Sequence, residues 1–259
     1  MGKLFRIELK KLGKSKAMRV MLIVAAALSV LNVVVYGLMD TMEDLMTLVF
    51  GEMSGYTIAM SLASDSSDIM LMVVILMAVL VGGDFSARTL QAQVAAGFGR
   101  FQIILSRFLS SALAYVILYV LYFGVTVIGV TAIFGFGDNI TSKMMEELFL
   151  NIFLSFIMAM TMLALYMLFA FLFKTTGATI GVSLPMMLMG TTIIQMFTLI
   201  SELADDIISF TPFGQQMMLS GLLPHSSELD PVKFIGVCFV WMAAFIALTF
   251  ASFRKAELK

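Results

Sequence analysis

The sequence predicts an all-α membrane protein with six transmembrane helices, an N-terminal interfacial helix and both termini in the cytoplasm. Of the 259 residues, 61% are apolar and 13% are charged, whereas a soluble domain has roughly 25% charged residues. The mean hydropathy is +1.02. Apolar runs long enough to cross a bilayer recur along the chain, and the basic residues are segregated between them.

This composition excludes several classes of protein. A soluble fold would expose much of the apolar surface as large patches, which monomers rarely carry. Cys238 is the only cysteine, so a disulfide framework cannot form. With 16 basic and 17 acidic residues, the chain also lacks the positive excess that is typical of nucleic-acid-binding proteins.

Residues 1–19 precede the first apolar run and are predicted to form an amphipathic helix at the cytoplasmic interface of the membrane. The alternative is a positive-inside anchor with no further role. Both interpretations make membrane lipid a partner. On a helix, apolar and basic side chains would lie on opposite faces: Met1, Phe5, Leu9 and Leu12 on one, and Lys3, Arg6, Lys10 and Lys14 on the other.

The six predicted spans lie within a single transmembrane domain of residues 1–259. Numbered one to six, they are residues 20–39, 69–83, 108–134, 148–173, 179–200 and 234–253. The second has 15 residues. A helix of that length covers about 22 Å, short of the roughly 30 Å of bilayer hydrocarbon. We therefore expect span two to continue upstream through Asp68 and Ser66, shielded by its neighbours.

The distribution of Lys and Arg predicts the orientation of the chain. Fourteen of the 16 lie before span one, between spans two and three, after span four or after span six. Only Lys143 and Lys233 lie on the opposite side. Because basic residues concentrate on the cytoplasmic side of membrane proteins, both termini are predicted to be cytoplasmic. We expect a multi-pass protein of the cell membrane.

The sequence carries no recognisable catalytic or metal-binding constellation. His225 is the only histidine, so neither a His-based metal cluster nor a Ser-His-Asp triad can form. The G-x-x-x-x-G-K-[ST] loop that binds nucleotide phosphates is also missing. No charged residue lies near the middle of a predicted span, which disfavours an ion-coupled transporter. An energy source for transport is therefore expected on another chain.

Residues 84–101, between spans two and three, form the longest polar cytoplasmic connection. A helix is predicted over residues 84–96, with Ser86 capping its first turn and with Gly97 and Gly99 breaking it. A short helix with exposed Arg and Gln side chains is suited to docking a soluble partner. The alternative is a surface loop that only obeys the positive-inside rule.

Short motifs in this segment point to a family. They are Asp84-Phe85, Arg88-Thr89-Leu90, Gly97-Phe98-Gly99-Arg100 and the apolar helix start at residues 103–106. Together they resemble the permeases of type-two ATP-binding-cassette exporters, with Asp84 where Glu is commoner, Arg88 in place of a glycine and Gly99 in place of a serine. The resemblance implies a coupling helix that contacts an ATPase subunit through Asp84, Phe85, Arg88, Thr89, Gly97 and Arg100. It also implies that ATP and Mg²⁺ are bound by that subunit, with no cofactor in this chain.

Span five carries the polar residues that could line a transport pathway. Thr191 and Gln195 are four residues apart and share one helix face, downstream of a predicted kink at Pro185. Hydrogen bonds between helices are the alternative role. The predicted pathway-lining residues are Thr191, Thr192, Gln195, Met189 and Met196.

The outer loop, residues 201–232, contains two apolar patches at residues 207–213 and 217–223. Pro212 and Gly214 are predicted to separate them. The resemblance implies that the patches enter the outer leaflet as re-entrant half-helices; the alternative is an amphipathic loop at the membrane surface.

The sequence thus predicts the membrane subunit of an ATP-driven exporter that works as a permease dimer with two ATPase subunits. Its expected cargo is an amphipathic peptide or another hydrophobic molecule, and it is not an enzyme by itself. The competing hypothesis is a membrane scaffold or sensor that binds a cytoplasmic partner and transports nothing.

Overall fold

The computed structural model describes residues 2–39, 54–65, 67–137, 140–198, 207–221 and 230–255. These residues include ten helices, and no strand occurs among them. In chain order the helices are α1 (Gly2–Lys14), α2 (Lys16–Met39), α3 (Gly55–Ser64), α4 (Ser67–Ser86), α5 (Thr89–Ala95), α6 (Arg100–Phe134), α7 (Ser142–Phe173), α8 (Thr176–Thr198), α9 (Pro212–Leu219) and α10 (Pro231–Lys255). Ser66 and His225 lie outside the described residues.

Six of these helices are long and apolar enough to cross a membrane, which confirms the predicted number of spans. Spans one to six are α2, α4, α6, α7, α8 and α10. The main difference is the start of span three, because α6 begins at Arg100 rather than at residue 108. Arg107 does not end the apolar helix because buried carboxylates neutralise it.

Helix α7 is the centre of the bundle, since α3, α4, α6, α8, α9 and α10 all pack against it. Its residues 157–168 are buried without interruption. A helix that is covered on all sides must be apolar on all sides, which explains why span four shows no amphipathic pattern. The Thr161 hydroxyl lies in this core and bonds to the carbonyl oxygens of Ile157 (3.1 Å) and Cys238 (3.2 Å).

Helix α1 packs against α6 with a buried stripe of Leu4, Glu8 and Leu12. Phe5 and Leu9, which were predicted to lie on the apolar face, are only half-buried. The stripe is shifted because Glu8 forms an ion pair inside the protein. The exposed side carries the predicted basic residues Arg6, Lys10 and Lys14.

Helix α3 was not predicted; it precedes span two and packs against α6 and α7. The Gly55 N–H donates to the Gly135 carbonyl oxygen (2.9 Å), just beyond the end of α6. At its other end, the Ser64 hydroxyl accepts from the Asn151 side chain of α7 (3.1 Å). Helix α3 therefore runs along α6 and α7 toward α4, which begins at Ser67.

The described part of the outer loop contains α9, which packs against α7, α8 and α10. The ring of Phe213 lies on Gly190, where an added Cβ would be 2.7 Å from a ring carbon. Just before α9, the Phe210 carbonyl oxygen accepts from the Trp241 indole N–H (2.6 Å). These contacts hold the segment against spans four, five and six. Its entry into the membrane stays a prediction.

The prediction that Pro212 and Gly214 separate two apolar patches is wrong for Gly214, whereas the helical structure is broken at residues 210–211, directly before Pro212. Pro212 is the first residue of α9, where its missing N–H leaves no helical hydrogen bond unmade, and Gly214 lies inside the helix. The Thr211 hydroxyl caps this helix by accepting from the Gly214 N–H (3.1 Å). Residues 222–229, which include the end of the second patch, lie outside the described part of the chain.

Candidate coupling site and transport pathway

Four charged side chains meet where α1, α4 and α6 come together. We call Glu8, Lys11, Asp84 and Arg107 the buried ion cluster. Arg107 Nη1 lies 2.5 Å from Glu8 Oε2, and Arg107 Nη2 lies 2.5 Å from Asp84 Oδ2. Lys11 pairs with the other oxygen of Asp84. Glu8, Asp84 and Arg107 are each 3% exposed, so Arg107 is the cation that balances two buried carboxylates.

The structure corrects the position of Asp84. It was predicted to begin a cytoplasmic helix and to contact the ATPase, but it lies in the last part of α4 and is buried. The apolar pattern of span two continues through Phe85, whose ring packs edge-on against Phe171 and Phe253. Asp84 and Phe85 therefore face the interior of the bundle, and a direct contact with a soluble partner is not open to the Asp84 side chain.

The connection between spans two and three contains a shorter helix than predicted. Ser86 does not cap it, because Ser86 is the last residue of α4 and its hydroxyl donates to the Gly82 carbonyl oxygen (3.1 Å). The chain turns at Arg88, which has a left-handed backbone (φ 54°), and α5 follows with seven residues. A second turn at Gly97 (φ 85°) leads into α6. The predicted break at the glycines thus has a physical basis, since glycine adopts a positive φ without strain.

Two of the predicted docking residues lie fully on the surface of this connection. Arg88 and Gly97 are exposed, and Thr89 is half-buried. Arg100 is instead engaged with the end of α10, where Nη1 donates to the carbonyl oxygens of Phe253 (2.8 Å) and Arg254 (2.6 Å).

Helix α5 is joined to the buried ion cluster by a hydrogen bond. Gln93 Nε2 donates to Glu8 Oε1 at 3.1 Å, so the same carboxylate holds both Arg107 of α6 and the side of α5. Sequence reasoning missed this role of Glu8. The available signal was that Glu8 is the only acid among the first 19 residues, seven of which are basic.

Span two also contacts span five at this end of the bundle. A Cβ added to Gly82 would lie 2.6 Å from the backbone nitrogen of Thr176, the first residue of α8. Glycine is therefore required for the close approach of the two backbones. A movement of the end of α4 would displace the start of α8 directly.

The predicted pathway residues lie on a poorly covered helix. Spans five and one are the least buried of the six. On α8, Met189 and Met196 are 58% and 65% exposed. Thr192 is also exposed, whereas Thr191 and Gln195 are half-buried. Helix α8 continues unbroken through Pro185. The structure thus places three of the five predicted residues on an open face.

The architecture is that of a polytopic helical membrane protein with a structured connection between its second and third spans. Residues 66–253 match the family described as ABC-2 family transporter protein. This match covers more than half of the chain, so the protein belongs to the ABC-2 transporter family and is a membrane component of a transporter, not itself catalytic. The resemblance inferred from the sequence is thereby confirmed. A comparison with curated proteins found no match.

Proposed function

We propose that this chain is the membrane subunit of an ATP-driven exporter and that its ATPase partner docks on the connection between α4 and α6. The observation that carries this proposal is the geometry of α5, which offers an exposed Arg88 at one end and is tied to α4, α6 and α1 within a few residues. ATP and Mg²⁺ are held by the partner ATPase.

The contacts around α5 support a route for mechanical coupling. A soluble domain that pushes on Arg88 acts two residues from the end of α4. The close packing of Gly82 on Thr176 would pass that displacement from span two to span five. Through Gln93 and Glu8, α1 would move with the same unit. Rigid packed helices transmit such shifts because a close-packed interior is stiff.

The open faces of spans one and five support a pair of permeases. Large exposed apolar surfaces inside a bilayer are satisfied by lipid or by a second protein. In our proposal, two copies meet along these faces and enclose the pathway, with Met189, Thr192 and Met196 of α8 lining it. A twofold pair is the commonest symmetric assembly. Flexible methionine side chains suit irregular amphipathic cargo, which would be released outward from the cell.

Charge reversal at Arg88 tests the docking proposal. A desolvated charge pair at a protein interface contributes about 1–3 kcal/mol, so Arg88→Glu should weaken ATPase binding about five- to 150-fold. Binding is measured by titrating the purified permease in nanodiscs with its candidate ATPase. Arg6→Glu is the matched control, because it makes the same change on the exposed side of α1.

Two outcomes would contradict the proposal. One is equal ATPase affinity for wild type and Arg88→Glu, and the other is an equal loss in Arg88→Glu and Arg6→Glu. Export is tested in inverted vesicles by ATP-dependent uptake of a labelled amphipathic peptide. A non-transporting scaffold would bind its partner but show no such uptake.

A further inference from the structure

We take the buried ion cluster as the cytoplasmic boundary of the hydrocarbon, which places the Asp68 carboxyl group of α4 at the depth of the outer leaflet. Sixteen residues separate it from Asp84 of the buried ion cluster, or about 24 Å of helix, against roughly 30 Å of hydrocarbon. Its neighbour Tyr122 lies twelve residues before the end of α6 at Phe134, and all twelve are uncharged. The apolar region therefore extends well beyond the level of Asp68. Any tilt of the helices brings Asp68 closer to the membrane centre.

Two hydrogen-bond donors organise the surroundings of this carboxylate. The Tyr122 hydroxyl donates to Asp68 Oδ2 at 2.5 Å, and the Tyr122 oxygen accepts from Asn32 Nδ2 of α2 at 2.7 Å. The arrangement fixes the direction of the carboxylate but supplies no cationic side chain; the first turn of α4, where Asp68 lies, contributes only a partial positive charge. Within the described ranges, the ion pairs all belong to the buried ion cluster, and none includes Asp68.

Asp68 is the first of a row of incompletely buried residues along one face of α4, which we call the open stripe. Its side chain is exposed, and further along the same face Leu71 and Ile75 are half-buried and Val79 is 37% exposed. Most other residues of α4 are buried against neighbouring spans. A carboxylate at this depth with no cation beside it is costly, and such groups in membrane proteins usually mark a ligand or ion pathway.

The neighbouring Asp65 has a different role, which makes it a built-in control. Its Oδ1 accepts from the Ser67 N–H (2.9 Å) and from the Ser67 hydroxyl (2.5 Å). Asp65 therefore satisfies the polar groups at the break between α3 and α4. An asparagine at this position keeps the acceptor oxygen and the turn.

We infer that Asp68 recognises a positively charged group, an ammonium or a guanidinium, on an amphipathic cargo that passes along the open side of α4. This inference rests on the proposed function and narrows it, because the cargo becomes a hydrophobic cation rather than any hydrophobic molecule. The Tyr122 hydroxyl is a positioning group that orients the carboxylate toward the open stripe. The apolar stripe formed by Leu71, Ile75 and Val79 would accept the hydrophobic part of the same molecule.

The test uses the full chain with its ATPase in nanodiscs of zwitterionic lipid. The ammonium 4-phenylbutylamine in its protonated form is the hydrophobic cation probe, and 4-phenylbutyrate is its anion of similar shape. We expect saturable binding of the cation to wild type and about tenfold weaker binding to Asp68→Asn, with Asp65→Asn and Asp68→Glu within about threefold of wild type. Binding of the anion should not depend on Asp68. Asparagine can still accept the hydrogen bond from Tyr122, so the fold is retained, and a thermal melt checks this.

Several results would overturn the inference. These are no saturable binding of the cation to wild type, equal binding to wild type and Asp68→Asn, and an equal loss in Asp65→Asn. The same samples report on the proposed function independently, because ATPase binding is measured in them as well. If cation binding depends on Asp68 but the ATPase does not bind, the exporter proposal is refuted and the cation site is supported. If the ATPase binds but Asp68→Asn does not change cation binding, the cation site is refuted and the exporter proposal is supported.

Discussion

Replacing Arg107 with Gln should destabilise the protein more than any other single change at an Arg residue. Arg107 is 3% exposed and contacts both carboxylates of the buried ion cluster at 2.5 Å. In Arg107→Gln the side chain keeps some hydrogen-bonding capacity but loses its charge. Glu8 and Asp84 would then share only Lys11, whose contact is with Asp84.

The magnitude follows from what remains buried after the change. Removing one partner of a buried ion pair costs about 3–5 kcal/mol, because the other charge is left without compensation. Glu8→Gln should cost less, about 1–3 kcal/mol, since it removes one carboxylate and leaves Arg107 paired with Asp84. The exposed Arg88 forms no ion pair among the described residues, so Arg88→Gln should change stability by less than about 0.5 kcal/mol.

The chain offers a convenient probe for this measurement. Trp241 is the only tryptophan, and its indole N–H is bonded to the Phe210 carbonyl oxygen across two elements of the fold. Its fluorescence should report the loss of tertiary structure when the purified protein in mixed micelles is titrated with sodium dodecyl sulfate. Free energies of unfolding are compared among wild type, Arg107→Gln, Glu8→Gln and the matched surface change Arg88→Gln.

The double variant distinguishes a specific pair from a general loss of charge. If Glu8 and Arg107 interact directly, the combined loss should be smaller than the sum of the single losses by about 1 kcal/mol or more. An Arg107→Gln protein as stable as Arg88→Gln would refute the buried ion cluster. Strict additivity of Glu8→Gln and Arg107→Gln would refute the direct contact between them.

Two further predictions concern coupling and the pathway. Gly82→Ala should lower the unfolding free energy by about 1–3 kcal/mol and reduce transport per ATP hydrolysed, since the new Cβ would meet the Thr176 backbone; an unchanged melt and unchanged coupling would contradict this close approach. A cysteine at Thr192 should cross-link two permeases or react with aqueous thiol reagents, and an inert thiol would exclude this face from the pathway. The matched controls are Gly83→Ala, where an added Cβ meets nothing within 4 Å, and the buried Ser183→Cys, both cysteine variants being made in a Cys238→Ser background.

The spans could be predicted from the sequence because the bilayer imposes a length and a composition that single helices show by themselves. The prediction failed where contacts between residues distant in sequence, rather than local composition, determine the structure. Arg107 marked the apparent start of span three, yet its neutralisation by Glu8 and Asp84 lets α6 begin earlier. The short helix α3 had a local signal, because the Ser54 side chain caps it by accepting from the Thr57 N–H (3.2 Å). Its ten residues, however, are too few to be recognised as a membrane span.

The structure of the connection between spans two and three could be predicted only in part. The turn at Gly97 and the exposure of Arg88 follow from local chemistry, which a sequence displays. The burial of Asp84 depends on cations of α1 and α6 that are far from it in sequence, Lys11 being 73 residues away. The local sequence around an aspartate at the end of an apolar run is the same whether its side chain faces water or an arginine that is distant in sequence. Only the packing of three helices decides between them.

The two aspartates of α4 show how the same residue type acquires opposite roles on one helix. Asp84 is 3% exposed and is neutralised within the chain by Arg107 and Lys11, so its charge holds three helices together and leaves nothing for a ligand. Asp68, at the other end, is exposed, and its hydrogen-bond partner among the described residues is the neutral hydroxyl of Tyr122. A carboxylate at membrane depth is costly without a cation, and we infer that the cation which the described chain does not supply comes from its cargo. That difference in compensation, rather than depth alone, makes Asp68 the residue through which a cationic cargo would be selected.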